Sequence, residues 1–235
     1  GINTGAYGKE TGLYDLTDLI REISKIDGLE RIRVSSIEIT EINDKFIEEM
    51  RTNPKLCAHL HVSLQSGSER VLQIMNRKYT KAEYLEKINK LKNARPEMNL
   101  TTDVIVGFPT ETEEEFLECV DYCKEVGFSK IHVFPYSMRE GTKAASMSGQ
   151  IPNNIKKNRA RQLIEIDNDL QLKFNEKFIG TSVNVLIEEI VDGKSIGHTQ
   201  NFLKVIIEKE LDTNVCYDVI ITDANIDYVI GKEEK

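Results

Sequence analysis

The sequence predicts an α/β fold, a parallel sheet of βα units closed or partly closed into a barrel, followed by a small antiparallel β-barrel. Three observations carry that prediction. Apolar β-branched runs alternate with amphipathic helical stretches through the first two thirds of the chain, which is the signature of right-handed βαβ units. The run Thr101 to Val106 reads as a strand buried on both faces, ending at Gly107-Phe108-Pro109, with Thr110 and Glu113 forming a capping box for the helix that follows. Past Gly180 the apolar period falls from 3.6 to 2.

In chain order, Leu16, Leu19, Ile20 and Ile23 place a helix near Tyr14 to Ile26. A strand is expected at Arg31 to Ser36, a helix along Ile42, Phe46, Ile47 and Met50, and a strand at His59 to Leu64. Thr80 with Glu83 boxes the start of a helix striped by Tyr84, Ile88 and Leu91. After the central unit come a helix over Thr112 to Val126 and a strand at Lys130 to Pro135. Pro152 opens a long helix with Leu163, Ile166, Leu170 and Phe174 on one side. In the tail, Val183, Val185 and Ile187 alternate, as do Val215, Tyr217, Val219 and Ile221, with a hairpin turn at Asp192-Gly193. These readings divide the chain into residues 1–179 and 180–235.

Composition excludes several classes. The 235 residues carry a formal net charge of -8, which argues against indiscriminate binding of polyanions while leaving room for a local basic patch. Four cysteines are too few for a disulfide framework, and no apolar run suits a membrane span or signal peptide, so a reducing cytoplasm is expected. The opening Gly1-Ile2-Asn3, with no initiator Met, reads as a fragment entered in mid-domain. Cys119-x-x-x-Cys123 has the spacing of half an iron-sulfur motif, but the third ligand would fall on Val126. Phe116, Cys119, Val120 and Cys123 form one helical stripe, so both thiols are expected in the core as small hydrophobes, and no metal or cluster site is expected. His59-x-His61 puts two imidazoles on one strand face, and a pair is too few for a zinc site; hydrogen-bonded interior histidines are expected.

Small and polar groups recur where the βα loops begin: Ser35-Ser36-Ile37-Glu38, Ser63 to Gly67, Asp103 to Gly107, and Pro135 to Thr142. Successive strands opening onto one rim form a site in such folds. Glu111, Glu113, Glu114 and Glu115 crowd the helix after Gly107, so a ligand with a cationic end suits that rim better than a bare phosphate.

These motifs resemble the radical S-adenosylmethionine methylthiotransferases, closest to those that modify N6-threonylcarbamoyladenosine beside the tRNA anticodon. The matching stretches are Thr4-Gly5-x-Tyr7-Gly8, Arg31 to Glu38, His59 to Ser68, Met75 to Thr80, Thr102 to Thr112, and His132 to Thr142. Ser63, Thr110 and Ile39 stand where the family has Pro, Gly and Pro. The resemblance implies a partial β/α barrel of the radical SAM type and a terminal barrel like the TRAM domain. It also implies S-adenosylmethionine and two [4Fe-4S] clusters in a full-length enzyme, with the cluster cysteines upstream of Gly1, an external electron donor and tRNA as partner. On that footing the chain alone is expected to be inactive, to hold no cluster, and to self-associate through strand edges that the missing first units would cover. Ser36, Glu38, Gln65, Ser66, Gly107 and Arg139 are the implied cofactor rim. For RNA, the tail from Thr181 has a net charge of -6, so the basic cluster Lys143, Lys156, Lys157, Arg159 and Arg161 is the better contact surface. Two alternatives stand beside this reading: a sibling enzyme acting on isopentenyladenosine or a ribosomal-protein aspartate, and a non-catalytic RNA-binding or structural module.

Overall fold

The computed structural model describes residues 5, 7, 8, 10–12 and 14–234; Thr4 of the first motif lies outside them. Three parallel strands, β1 (His59–His61), β2 (Asn99–Val106) and β3 (Lys130–Pro135), form a sheet in the order β1-β2-β3. Helices α1 (Leu16–Ser24), α2 (Asp44–Thr52), α3 (Glu69–Ile74), α4 (Lys81–Ala94) and α5 (Glu113–Val126) connect and flank them. One core holds Leu60, Leu100, Val104, Val106 and Ile131 from the strands with Tyr84, Ile88, Phe116 and Cys123 from the helices.

The sheet departs from the sequence reading in four places. First, β2 is not buried on both faces. Thr102, Val104 and Val106 are buried, whereas Thr101, Asp103 and Ile105 are half-buried on the other side, which is the concave face of the open barrel. Second, Arg31 to Ser36 forms no regular strand. It bridges Leu56 from Ile32 and His61 from Ser36, and the pairing offset changes by one residue between those bridges, so the ladder is interrupted. Third, β1 stops at His61 because the Thr102 side chain enters the ladder: its hydroxyl donates to Val62 O at 2.7 Å and accepts from Leu64 N at 2.8 Å. Pairing resumes only at Gln65, whose φ is +67°. Fourth, the capping box of α5 is Thr112 with Glu115, two residues later than expected. Thr110 instead adopts φ +71° in the turn and donates its N–H to Gly149 O.

Short α6 (Lys143–Ser146) leads to α7 (Asn153–Glu176), for which Pro152 is the cap rather than the first helical residue. Helix α7 closes the edge of the sheet. Buried Asp167 accepts Ile131 N at 2.6 Å and pairs with Lys130 Nζ at 2.9 Å, satisfying edge groups that have no further strand.

The tail is a closed barrel of five strands, β4 (Ser182–Val191), β5 (Lys194–Thr199), β6 (Lys204–Ile207), β7 (Cys216–Ala224) and β8 (Val229–Glu233), in the order β4-β5-β6-β8-β7. Asp192 and Gly193 both have positive φ, as a tight hairpin turn demands. Val185, Ile187, Val205, Val219, Ile221 and Val229 fill its interior. The barrel docks beneath the sheet. Arg31 donates to His198 O at 2.9 Å and to Asn184, Asn201 donates to Glu97 O, and Asn175 of α7 donates to Asn225 O and Ile226 O.

Candidate functional site

The rim at the carboxyl ends of the strands is a set of braced turns. Gly67 donates its N–H to Cys119 Sγ at 3.0 Å, and a Cβ there would come within 2.7 Å of Cys119 Cα, so only glycine lets this turn sit on α5. Cys119 is therefore a hydrogen-bond acceptor as well as a core residue. Cys123 is fully buried, and its contact with Cys119 together with desolvation raises its thiol pKa well above the usual range. Among the described residues no group of three or more His, Cys, Asp or Glu side chains could hold a metal ion.

Gly107 is held from two sides. Its N–H donates to Glu111 Oε2 at 2.6 Å, and the space of its missing Cβ is occupied by the methylenes of Lys156, with Cγ closest. Of the implied rim residues, Ser66 is fully buried with Oγ accepting Ser68 N, and Gly107 is buried under Lys156. Gln65 and Glu38 remain half-buried, Glu38 lying 3.6 Å from Arg77; Ser36 and Arg139 are exposed, and Arg139 O accepts the Thr142 hydroxyl.

The basic cluster on α7 divides. Arg159 is buried, with Nη1 2.7 Å from Glu111 Oε2 and Nη2 3.0 Å from Glu113 Oε2, and Lys156 Nζ donates to Tyr136 O at 2.9 Å. Both point into the rim rather than onto a solvated face. Lys143, Lys157 and Arg161 are exposed.

At the opposite end of the strands lies a feature that sequence reasoning missed. The four histidines of the chain, His59, His61, His132 and His198, line one cavity of about 460 Å³. Its roof is the concave sheet face and its floor is α7 with the β5–β6 connection of the terminal barrel. Phe202, at φ +63°, organises that floor: the His198 ring stacks on it at 4.3 Å, His59 lies 5.1 Å away, and the Arg33 guanidinium sits 3.7 Å from its centroid. His61 fulfils the expectation of a hydrogen-bonded interior imidazole, with Nδ1 3.0 Å from Thr101 Oγ1 and Nε2 3.3 Å from Asp103 Oδ2. His59 does not. It is buried with Nδ1 unpartnered, and desolvation, with nearby Arg33, lowers its pKa to about 4, so the ring is neutral. The signal was available in the alternation of polar residues along the strands, His59 and His61, Asn99, Thr101 and Asp103, Lys130 and His132.

Comparison with known proteins bears on this arrangement. The model of the Radical SAM superfamily matches residues 4–132, more than half of the chain. The chain is 41% identical over 214 residues to the threonylcarbamoyladenosine tRNA methylthiotransferase MtaB of Bacillus subtilis, covering 88% of the chain and 48% of that protein. It is 38% identical over 205 residues to MtaB of Thermotoga maritima, covering 87% and 47%. It is 44% identical over 200 residues to the tRNA-2-methylthio-N(6)-dimethylallyladenosine synthase of Aquifex aeolicus, covering 85% and 46%. The chain thus spans about half the length of the curated relatives it matches.

Proposed function

The chain belongs to the Radical SAM superfamily, and on that premise we propose that it is part of a tRNA methylthiotransferase that places a methylthio group on C2 of N6-threonylcarbamoyladenosine. The observation that carries this reading is the 41% identity to such an enzyme across 88% of the chain. A sibling acting on dimethylallyladenosine is the second reading, favoured by the 44% identity to that class.

The residues present partly fit an S-adenosylmethionine rim. Glu38 and Gln65 offer a carboxylate and an amide for a cationic amino-acid end, and Arg139 is free to meet a carboxylate. Ser66 and Gly107 act one step back: the first braces the turn that carries Gln65, and the second shapes the strand end against which an adenosine would lie. When bound and reduced through a cluster, the cofactor supplies a carbon radical; the protein's part is to hold cofactor and base in register and exclude water. The two [4Fe-4S] clusters and the electron donor belong to the full-length enzyme in this reading, and this chain alone is inactive.

The test is nucleoside mass spectrometry of tRNA from cells lacking the endogenous activity and supplied with the full-length gene. Appearance of 2-methylthio-N6-threonylcarbamoyladenosine supports the reading. Appearance of the dimethylallyl product alone moves the protein to the sibling class, and no methylthio nucleoside sinks both.

A further inference from the structure

The cavity that gathers the four histidines has the size of a small-ligand site and a wall unlike an apolar pocket. Lys130 pairs with Asp167 and the His198 ring hydrogen-bonds to Glu188, while Asp227 accepts only from the neutral amide of Gln171 and keeps its charge, an acceptor for a ligand hydroxyl or N–H. What remains is a set of polar groups without partners among the described residues. Lys204 makes no ion pair, His132 is exposed with only a ring contact to His61 at 5.7 Å, and His59 Nδ1 is buried and unsatisfied. A hydrocarbon group placed here could contact Phe174, Phe202, Leu203 and Ile226 but would strip water from these polar groups and give them no partner, whereas a carboxylate with an adjoining hydroxyl would pair with them. The cavity and the rim share the concave face of the sheet. His132 stands four residues before a rim position, Tyr136, roughly 13 Å along β3 at about 3.3 Å per residue, and His61 is joined to Gln65 by the interrupted stretch after β1. The half-buried face of β2 continues between the two ends through Asp103 and Ile105.

The substrates named for the two classes of relative differ in what hangs on N6 of the adenine: a threonylcarbamoyl group, which bears a carboxylate and a hydroxyl, or a dimethylallyl group, which is hydrocarbon. We propose that this cavity receives the carboxylate-bearing N6 substituent of the substrate adenosine, with Lys204 pairing to the carboxylate and His132 to the polar atoms beside it, and that it selects against a hydrocarbon substituent. The inference rests on the methylthiotransferase reading. It assigns the terminal barrel, which supplies Lys204, His198 and Phe202, a share in choosing the modified base.

The experiment uses the full-length protein and calorimetric titration with N6-threonylcarbamoyladenosine, its carboxamide analogue, N6-dimethylallyladenosine and free threonine. The expected result is that the carboxylate nucleoside binds, that the carboxamide binds roughly tenfold or more weakly, as loss of a charged hydrogen bond implies, and that the dimethylallyl nucleoside does not compete. Lys204→Met and His132→Phe should each weaken the first ligand, and Lys204→Arg should restore it. Equal binding of carboxylate and carboxamide to the unaltered protein overturns the proposal, and needs no variant to fold. Wild-type affinity in both Lys204→Met and His132→Phe overturns it as well. Free threonine binding with the same dependence on Lys204 overturns the nucleoside assignment and leaves a site for a free amino acid. Should the protein methylthiolate only dimethylallyladenosine in tRNA, the underlying reading fails independently of these titrations.

Discussion

Arg159 Nη1 lies 2.7 Å from Glu111 Oε2, the same carboxylate oxygen that accepts the Gly107 N–H. The long helix thereby reaches across the end of β2 and fixes the turn that the family motif marks. Both side chains are nearly excluded from solvent, so neither is free to meet RNA. Arg159→Met leaves a buried carboxylate uncompensated and is expected to cost roughly 3–5 kcal/mol in urea unfolding. Glu111→Gln keeps an acceptor for Gly107 and should cost less. If Arg159→Met unfolds at the wild-type midpoint, the pair is not what fixes the turn.

Gly107 gives a separate test of the same clamp. Its φ of +71° and the closeness of Lys156 both penalise a side chain. Gly107→Ala is expected to lose about 1–3 kcal/mol and to weaken S-adenosylmethionine binding in the full-length enzyme, while Lys156→Ala, which vacates the space, should recover part of the packing energy in the double variant. Strictly additive effects would separate the two residues.

Arg31 is the tie between sheet and terminal barrel. Its guanidinium spans His198 O, Asn184 O and Asn184 Oδ1, with Cys216 Sγ at 3.8 Å. Arg31→Ala removes charge-assisted bonds to backbone carbonyls and is expected to cost about 2 kcal/mol. It should also speed proteolysis between α7 and β4 at residues 177–181. Unaltered cleavage there would mean that Asn175 and Asn201 suffice to seat the barrel.

Much of this fold is legible in the sequence, and the reason is physical. Helix stripes such as Tyr84, Ile88 and Leu91, and the closed interior of the barrel, follow from periodicity because apolar burial decides them. What escaped depends on single side chains entering the backbone: the Thr102 hydroxyl that ends β1, and the turn geometry that moves the α5 cap from Thr110 to Thr112. The rim motifs mark where a site is expected, but not that Ser66, Lys156 and Arg159 brace the surrounding turns. The histidine cavity is assembled from several strands, a helix and a second barrel, and only tertiary structure brings His198 to His59.

His59 makes stability depend on pH in a defined direction. Its pKa is 6.5 unperturbed and about 4 in the folded chain, so below pH 6.5 the unfolded chain binds the proton more readily. Its contribution is therefore complete above pH 6.5 and is lost as the pH falls towards 4, on the order of 3 kcal/mol in all. His59→Gln removes the titrating group. Urea midpoints at pH 7.5 and pH 4.5 should differ more for the wild type than for this variant; equal differences would show that the carboxylates account for the whole acid effect.

The last prediction concerns RNA, and the ion pairs decide its form. In the terminal barrel Lys194 is paired with Glu208 and Lys209 with Glu233, so the excess of acid there is expressed locally as well as in the net charge. On α6 and α7, by contrast, Lys143, Lys157 and Arg161 are exposed and make no salt bridge among the described residues. If tRNA approaches along that side of the full-length enzyme, neutralising these three should weaken binding to every tRNA alike and lower the slope of log K against log salt by about 0.7–0.9 for each phosphate that the protein no longer neutralises. Neutralising Lys194 and Lys209 should change that slope little, since each breaks an existing pair and frees an acidic group. A reduced slope for the barrel variant with an unchanged one for the helix variant would place the RNA-binding face on the terminal barrel, through charges that rearrange on binding.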